Sequence, residues 1–573
     1  MTGTTVPQTA LLQDACSLAL QNVVARLDRE RGYQPFFKVV LGPPARAVHD
    51  SWDYCDMAGR YVDALCLIRQ VTGESAPEEE AGLRRFLLGN ANPWDGLFYN
   101  QEGEGSQYAA DMFCQSRVLI ALCTWYQESG DPEVLSRLRG LVHGLSRIAE
   151  RRDGYAFYPR NLYREGEWLE GGLFYQPKDL WSVKPGYGGT QLEGIARYAE
   201  LTGDEVARGF IAEYLRYFLD VARVVDDEGA FTGHLHSQGI VPTMVGAAMH
   251  AEATGDRALL GRCERFLRFV LSHCGSFGWV PDGIGWPTCE TCALGDVIHL
   301  AVRLSRLGEE RPGDSDHRVP RARSTPASGS PELGASALPA RRDFWYDVER
   351  FARNQLLENQ FRDPGRVLEG RGPAPGTEVT VRGSFASWAH PNDLLGGPDI
   401  EGCCTGGAVR ALFHVLNNCV GRSPDGALEV RMHFSVSTQN ADVESHLPYE
   451  GRVVVRPKMA GTLRLRLPEG IPATDVTLEV NEALVPVRAD GPYALVPDLV
   501  PGDQVVLRFP TPVMVRQEEV AGQVYTVTWK GNTVVRLEPE GPGYPTYRRE
   551  EHLSPHAPQA TWPYPVQGTA VRW

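Results

Sequence analysis

Two cysteine-containing segments concentrate the reactive side chains of this sequence. They are CETC at residues 289–292 and, far downstream, EGCC at residues 401–404. Several thiolates together with one carboxylate form a ligand set that zinc prefers. If both segments meet in the fold, they can hold a metal ion that keeps a cysteine in its thiolate form, which is the nucleophilic form.

The local sequence suggests how each segment directs its side chains toward one ion. Pro287 disfavours a helix at the residue before it, so we expect Glu290 and Cys292 to lie in extended backbone and to point the same way. Cys403 and Cys404 can bind one ion only where the backbone turns sharply, which nearby glycines allow. Taken singly, a Cys-x-x-Cys segment is more often structural or redox-active, and an adjacent cysteine pair more often belongs to a core. The metal hypothesis therefore depends on both segments meeting.

Four similar turns in the first half of the chain indicate helical hairpins. In each turn a glycine is followed by an acidic residue, between two stretches with helical apolar periodicity. The glycine suits the left-handed end of one helix, and the acidic residue suits the start of the next. The spacing is too long for ordinary solenoid repeats, so we predict a ring of paired helices, an (α/α) toroid. The turns are residues 71–74, 128–131, 201–204 and 253–256.

The pattern changes near Gly426, where apolar and polar residues begin to alternate. Short alternating stretches between Pro- and Gly-rich turns predict an antiparallel β-sandwich. We therefore predict a toroid domain at residues 1–424 and a β-sandwich domain at residues 425–573. Within the first domain, the Pro-, Ser- and Arg-rich stretch 311–342 is predicted to be a disordered insertion. The alternating stretches are residues 428–436, 463–467, 476–480 and 505–509.

The composition excludes some classes of partner. The 573 residues carry a net charge of -15, which opposes binding to nucleic-acid phosphates. No stretch approaches the ~20 apolar residues that a membrane-spanning helix needs. The N-terminal residues do not resemble a secretory signal, so we expect a cytoplasmic protein with reduced cysteines.

The combination of motifs resembles glycoside hydrolase family 127 (GH127), whose best-known members are β-L-arabinofuranosidases. The similar features are an E-T-C segment that leads into a helix, a later Cys-Cys pair and a following all-β domain. The resemblance implies a zinc ion held by Glu290, Cys292, Cys403 and Cys404. It also implies that Cys403 attacks the anomeric carbon and that water then hydrolyses the thioglycosyl intermediate with retention of configuration.

The sequence departs from the GH127 pattern at the general acid. Family members carry a glutamate between a Gly-Ile-Gly turn and E-T-C, but here only four residues separate these two motifs. Asp282 is the nearest substitute, while Asp399 and Glu401 flank the cysteine pair. Each of these carboxylates also fits a solvated or capping role. The proton donor matters because general-acid catalysis typically contributes about 10²–10⁴ in rate.

Several further residues are candidates for contacting a sugar. His234 is similar to the histidine of the family's Gly-His pair. Arg117 and Tyr187 stand where the family carries two other histidines. The remaining candidates lie in predicted loops at the toroid mouth and fit equally well as ordinary loop polar groups or helix caps. They are Trp52, Asp53, Gln191 and His236.

These observations lead to one main hypothesis and two alternatives. The main hypothesis is a zinc-thiolate retaining glycosidase that acts on a furanoside or a related small carbohydrate. One alternative is a non-catalytic carbohydrate-binding relative in which zinc only joins two loops. The other is a metal-independent toroid epimerase or lyase that uses His234 and Tyr187. The β-domain is compatible either with packing on its own toroid or with forming a homodimer.

Overall fold

The computed structural model describes residues 5–7, 12–103, 105–169, 189–231, 236–309, 343–567 and 571. The insertion predicted at residues 311–342 lies outside the described residues. The candidate sugar contacts Tyr187 and His234 also lie outside them.

The first two thirds of the chain form mainly helices. Short π-helical segments occur at Asp53–Met57, Arg216–Val221 and Ala352–Leu356. None of the described helices combines the length and the apolar character needed to cross a bilayer. The α-helices are α1 (Leu12–Ala25), α2 (Ala58–Thr72), α3 (Pro77–Gly89), α4 (Met112–Ser129), α5 (Pro132–Ile148), α6 (Gln191–Thr202), α7 (Glu205–Leu215), α8 (Ser237–Thr254), α9 (Arg257–Leu271), α10 (Thr291–Glu309), α11 (Trp345–Phe351), α12 (Pro364–Leu368), α13 (Thr377–Val381) and α14 (Gly402–Asn418).

Six of these helices form a closed inner ring. In order, α2 packs against α4, α4 against α6, α6 against α8, α8 against α10, α10 against α14, and α14 back against α2. The helices α1, α3, α5, α7, α9 and α11 each pack against an inner helix from outside. The predicted (α/α) toroid is therefore confirmed. Because outer helices return the chain in the opposite direction, the inner helices all begin at the same end of the ring.

The four predicted turns join consecutive helices of the toroid. The glycine of each turn has φ between 66° and 76°, the left-handed conformation that favours glycine. The side chains of Asp131, Asp204 and Asp256 each accept a hydrogen bond from a backbone N–H in the first turn of the next helix. The capping prediction is wrong for Glu74, because α3 begins later, at Pro77, and has no side-chain cap.

Glycines allow the inner helices to approach each other closely. A Cβ atom at Gly194 in α6 would lie 2.5 Å from the Cβ of Leu119 in α4. A Cβ atom at Gly246 in α8 would lie 2.5 Å from the carbonyl carbon of Leu192 in α6. The pairs α2/α4, α10/α14 and α14/α2 have similar tight contacts, at Gly59, Gly295 and Gly406.

Substitution of Gly246 by alanine is expected to destabilise the toroid. The added methyl group would meet the backbone of α6, so the two helices would have to separate, and overpacking of this kind costs about 1–3 kcal/mol. Urea denaturation measures the loss. Gly261→Ala in α9 is the control, because a Cβ there meets only the end of the Arg265 side chain, at 3.4 Å. Equal free energies of unfolding for the two variants would contradict the close contact between α8 and α6.

The strands are short in the helical part and longer near the C-terminus. Two 3₁₀ segments, Ala473–Asp475 and Glu550–Leu553, interrupt the C-terminal strands. The strands are β1 (Thr5–Pro7), β2 (Leu27–Asp28), β3 (Gln34–Pro35), β4 (Lys38–Val40), β5 (Arg46–Val48), β6 (Ala110–Asp111), β7 (Glu150–Arg152), β8 (Tyr155–Phe157), β9 (Leu162–Arg164), β10 (Glu167–Leu169), β11 (Asp399–Glu401), β12 (Val420–Arg422), β13 (Leu428–Val430), β14 (Val436–Ser437), β15 (Ala441–Ser445), β16 (Arg452–Pro457), β17 (Gly461–Arg466), β18 (Thr477–Val480), β19 (Ala483–Val485), β20 (Arg488–Asp490), β21 (Tyr493–Leu499), β22 (Val505–Arg508), β23 (Val513–Val520), β24 (Gln523–Lys530), β25 (Thr533–Glu538) and β26 (Gln559–Thr561).

The C-terminal strands form the predicted β-sandwich. One sheet has the order β12-β13-β17-β21-β20, a second has the order β14-β15-β16-β22-β18-β19, and β23-β24-β25 form a smaller sheet. Buried side chains of both larger sheets, among them Leu465 and Val455, belong to one core cluster. The fold class is confirmed, with one difference, since β13 and β17 pair in parallel. The domain boundary at residues 424–425 stays a prediction.

The single strand predicted over residues 428–436 is divided in the structure. β13 belongs to the first sheet and β14 to the second. Between them, His433 donates its backbone N–H to Glu349, and its ring Nε2 lies 2.9 Å from the carbonyl oxygen of Arg466. The chain crosses from one sheet to the other at this point, so the alternating pattern covers two separate strands.

Candidate metal centre and active site

The two cysteine-containing segments meet at the end of the ring where the inner helices begin. CETC leads into α10 and EGCC into α14, and these helices are neighbours in the ring. Gly407 permits the close approach, since a Cβ there would lie 3.0 Å from the Cα of Cys292. The extended backbone expected for Cys292 is wrong, because α10 begins at Thr291. Pro287 restricts the backbone only of the residue before it, so it does not prevent α10 from beginning at Thr291.

Four ligand atoms gather between the two helices. The sulfurs of Cys292, Cys403 and Cys404 and a carboxylate oxygen of Glu290 all lie within 4.8 Å of one another. Cys404 Sγ lies 3.7 Å from Cys292 Sγ and 3.9 Å from Cys403 Sγ. Glu290 Oε1 lies 3.6 Å from the sulfur of Cys403 and 3.8 Å from that of Cys404. We call these four residues the metal quartet.

The metal quartet fits a tetrahedral zinc ion. With Zn–S bonds of about 2.3 Å and a Zn–O bond of about 2.0 Å, the edges of the tetrahedron are about 3.7 Å between two sulfurs and about 3.5 Å between sulfur and oxygen. The four separations given above, 3.6–3.9 Å, are close to these lengths. Three thiols and one carboxylate also suit zinc better than magnesium or calcium, which prefer oxygen ligands.

Charged side chains surround the metal quartet. Arg60 donates a hydrogen bond from Nη1 to Cys292 Sγ at 3.7 Å, and its Nε lies 3.0 Å from both carboxylate oxygens of Asp56. The Nε2 of His236, a predicted sugar contact, lies 2.6 Å from Glu290 Oε2. Such partners orient metal ligands. Arg60 and Asp56 are not among the residues predicted from the sequence, although their spacing of four residues is a usual signal for a helical ion pair.

The surroundings shift the pKa values of the three quartet cysteines in different directions. Burial alone would raise the pKa of Cys292, but the thiols of Cys403 and Cys404 and the Arg60 guanidinium hold it well below its usual value. The contact with Cys292, together with burial, raises the pKa of Cys403. Burial also raises the pKa of Cys404. Metal binding displaces thiol protons, so zinc would convert this mixed set into three thiolates.

Asp282, the predicted proton donor, lies beside the quartet but is fully enclosed. It is 0% exposed. One of its oxygens accepts a hydrogen bond from Thr288 Oγ1 at 2.7 Å, and the other accepts one from the backbone N–H of Glu290. Burial and the charge of Glu290 hold the pKa of Asp282 well above its usual range. These bonds fix the loop that carries Glu290.

Glu401 is the carboxylate outside the quartet that contacts Cys403. Its Oε2 lies 3.6 Å from Cys403 Sγ, and the residue is half-buried. Glu401 ends β11, which pairs with β4, and its backbone N–H donates to Ser387 Oγ at 2.7 Å. This strand therefore fixes the position of the carboxylate directly before α14.

Trp52 and Asp53, which are both predicted to contact a sugar, differ in solvent accessibility. Asp53 is enclosed and accepts hydrogen bonds from the backbone N–H of Phe37 at 2.9 Å and from Gln34 Nε2 at 2.9 Å. His49 Nδ1 lies 2.7 Å from the same carboxylate. Asp53 therefore secures the loops before α2. Trp52 is half-buried, with its ring stacked on that of Phe37.

Arg117 and Gln191 lie inside the ring on α4 and α6. Arg117 is 4% exposed, and its Nε and Nη2 have no hydrogen-bond partner in the described structure. Gln191 donates from Nε2 to the carbonyl oxygen of Met112, while its Oε1 has no such partner in the described part of the chain. Asp296, which the sequence analysis missed, lies one helical turn beyond Cys292. Burial raises the pKa of Asp296 to about 7.

Comparisons with known proteins reveal similar folds. No family model matches the sequence, and no curated protein matches it. A GH127 β-L-arabinofuranosidase from Geobacillus stearothermophilus T6 aligns with a TM-score of 0.56 and 15% identity, over 91% of this chain and 80% of that one. A structure described as a glycoside hydrolase gives 0.59 and 13%, over 93% and 81%. A structure described as a GH127 β-arabinofuranosidase gives 0.52 and 13%, over 92% and 81%. At these identities the likeness establishes the fold, and the resemblance of this chain to GH127 is confirmed at that level.

Proposed function

We propose that the protein is a retaining glycoside hydrolase of the GH127 type that uses zinc and a cysteine nucleophile. The observation that carries this proposal is the convergence of Glu290, Cys292, Cys403 and Cys404 at the start of two neighbouring inner helices. The similarity in fold to solved glycoside hydrolases also supports it. The proposed substrate is a furanoside or a related small carbohydrate.

Cys403 is the proposed nucleophile. It is 5% exposed, whereas Cys292 is 1% and Cys404 0% exposed. Bound zinc would supply the positive charge that keeps sulfur ionised near neutral pH. Cys403 then forms a bond to the anomeric carbon as the bond to the leaving oxygen breaks. Water later displaces the sulfur from the opposite face, so the configuration is retained overall.

The proton donor is tested by varying the leaving group. If Asp282 donates the proton, Asp282→Asn will slow hydrolysis of alkyl glycosides by about 10²–10⁴ but leave activated aryl glycosides much less affected, because only poor leaving groups need a proton. Kinetics on both substrate types measure this difference, with metal content checked because Asp282 also fixes the loop of Glu290. Equal effects on both substrates would exclude Asp282. If Glu401→Gln instead slowed the hydrolysis of alkyl glycosides much more than that of aryl glycosides, Glu401 would be the proton donor.

The proposed function is tested by two direct measurements on the full-length protein. Elemental analysis is expected to find about one zinc per chain, because the quartet offers a single complete ligand set. A screen of chromogenic glycosides that includes the β-L-arabinofuranoside is expected to find turnover that is lost on chelation. A metal-free protein that still converts a sugar would contradict the proposal and favour the epimerase or lyase alternative.

A carbohydrate-binding protein with a structural metal is the second candidate. It is favoured by the hydrogen bonds that occupy both oxygens of Asp282. This candidate predicts bound zinc and sugar binding without hydrolysis of any glycoside in the screen.

A further inference from the structure

Several inner helices carry buried polar groups that have no hydrogen-bond partner within the described residues. Each of these residues is at most 8% exposed. Buried polar groups are almost always paired, because leaving one unpaired costs free energy. Several such groups on adjoining helices of one ring therefore indicate a ligand that completes them. Among these groups are Arg117 Nε and Nη2 on α4, Gln191 Oε1 on α6, Gln238 Nε2 on α8 and Asp296 Oδ2 on α10.

The unpaired atoms of Arg117 are suited to two acceptors at once. The N–H of Nε and one N–H of Nη2 point in parallel from the same edge of the planar guanidinium group. Neither nitrogen has a hydrogen-bond partner among the residues that the structure describes. This edge fits two neighbouring oxygen atoms, which either a carboxylate or two adjacent hydroxyl groups can supply.

The surrounding charges favour hydroxyl groups over a carboxylate. The charge of Arg117 acts on Asp56, Glu193 and Asp296. Asp56 pairs with Arg60, and Glu193 pairs with Arg410 through Oε1. Glu193 Oε2 and Asp296 Oδ2 have no hydrogen-bond partner among the described groups. A ligand carboxylate near Arg117 would face both of these carboxyl groups. A hydroxyl group can accept from Arg117 and donate to Asp296.

We propose that Arg117 and Asp296 together bind two adjacent hydroxyl groups of an uncharged sugar and select it over a uronic acid. The role of this pair as part of a substrate site depends on the proposed function. Asp296 lies one helical turn, about 5.4 Å along the axis of α10, beyond the quartet residue Cys292. The hydroxyl pair therefore belongs to the sugar ring held next to the quartet, and Gln191 and Gln238 can pair with its other hydroxyls.

Binding of free monosaccharides to the full-length protein tests the proposal without any need for turnover. The probes are L-arabinose, D-galactose and D-galacturonate, which differs from D-galactose only by its carboxylate. In ligand-observed NMR titrations, we expect a neutral sugar to bind more tightly than D-galacturonate. Arg117→Gln and Asp296→Asn are each expected to weaken that binding at least about 10-fold, because each variant loses a hydrogen bond between a charged group and the sugar. Tighter binding of D-galacturonate, unchanged affinity in these variants, or no binding of any probe would overturn the proposal.

The variant Arg117→Lys and measurements of thermal unfolding separate a role of Arg117 in sugar binding from a role in stabilising the fold. Lysine keeps the charge but lacks the parallel N–H pair, so it should weaken sugar binding nearly as much as glutamine. Because two nitrogens of Arg117 are unpaired, Arg117→Gln should lower Tm less than the loss of a fully paired buried arginine does. Arg410→Gln, which removes a fully paired buried arginine, should lower Tm. A fall in Tm for Arg117→Gln as large as that for Arg410→Gln would also overturn the proposal.

The proposed function and this inference can fail separately. If neutral sugars bind through Arg117 but the protein hydrolyses no glycoside, the sugar-binding inference is supported and the proposed hydrolase activity is contradicted. If the protein hydrolyses glycosides but its affinity for sugars does not depend on Arg117, the proposed hydrolase activity is supported and the sugar-binding inference is contradicted.

Discussion

Replacement of Cys403 by serine is expected to abolish glycoside hydrolysis, with kcat/KM falling at least about 10⁴-fold. A serine hydroxyl is far less ionised than a cysteine thiol near neutral pH and cannot replace it as the nucleophile. The change alters one atom in the first turn of α14, so the fold should be retained. Steady-state kinetics on an activated aryl glycoside measure the loss, and circular dichroism checks the fold.

Cys419 provides the matched control for this substitution. It is buried after the last residue of α14, and its thiol donates to the carbonyl oxygen of Val415 at 3.2 Å, a bond that a serine hydroxyl can also make. We expect Cys419→Ser to keep its activity. Mass spectrometry with a slow fluorinated glycoside should find the sugar attached to the peptide that contains Cys403. Wild-type turnover by Cys403→Ser would rule out Cys403 as the nucleophile.

The second large effect is expected for Glu193→Gln, which should lower the free energy of unfolding by about 3–5 kcal/mol because it removes one partner of a buried ion pair. Glu193 Oε1 lies 2.7 Å from Arg410 Nη2, and Asp63 Oδ2 lies 3.3 Å from Arg410 Nη1. These contacts join α6, α14 and α2 across the interior of the ring. Urea denaturation at pH 7 measures the loss.

The effect of Glu193→Gln should also depend on pH. Burial alone would raise the pKa of Glu193, but Arg410 and His299 lower it from 4.5 to about 2. Because the folded-state pKa is lowered, the stabilisation is complete above pH 4.5 and is lost as the pH falls toward 2. Glu205→Gln is the control, since its partner Arg208 is exposed and such pairs contribute about 0–1 kcal/mol. Equal losses in both variants would contradict the buried ion pair.

The metal quartet could be predicted from the sequence because few residue types can bind a soft metal. Two segments that contain Cys and Glu stand out against apolar helices even when nothing is known of the fold. The prediction of extended backbone at Cys292 is wrong, because Pro287 restricts only the residue before it and α10 already begins at Thr291. The turn glycines were equally informative, because the left-handed conformation restricts the residue type strongly.

The groups around the quartet could not be predicted in the same way. Arg60, Glu193 and Asp296 are polar residues in helices that contain several others, and the sequence does not show which residues of neighbouring helices lie near them when the ring closes. Glu193, for example, contacts Arg410 from a helix more than two hundred residues away. The prediction of a single strand over residues 428–436 is wrong for a related reason. The alternating pattern shows which residues are buried, but it does not show which sheet buries them.

The common starting end of the inner helices has a consequence for how such proteins diversify. The metal quartet lies where α10 and α14 begin, whereas the contacts of Arg410 with Asp63 and Glu193 link helices within the ring. Substitutions in the segments that enter α10 and α14 can therefore change the metal site without altering these ion pairs. The chemistry at this end of the ring and the thermal tolerance of the helices can then vary separately.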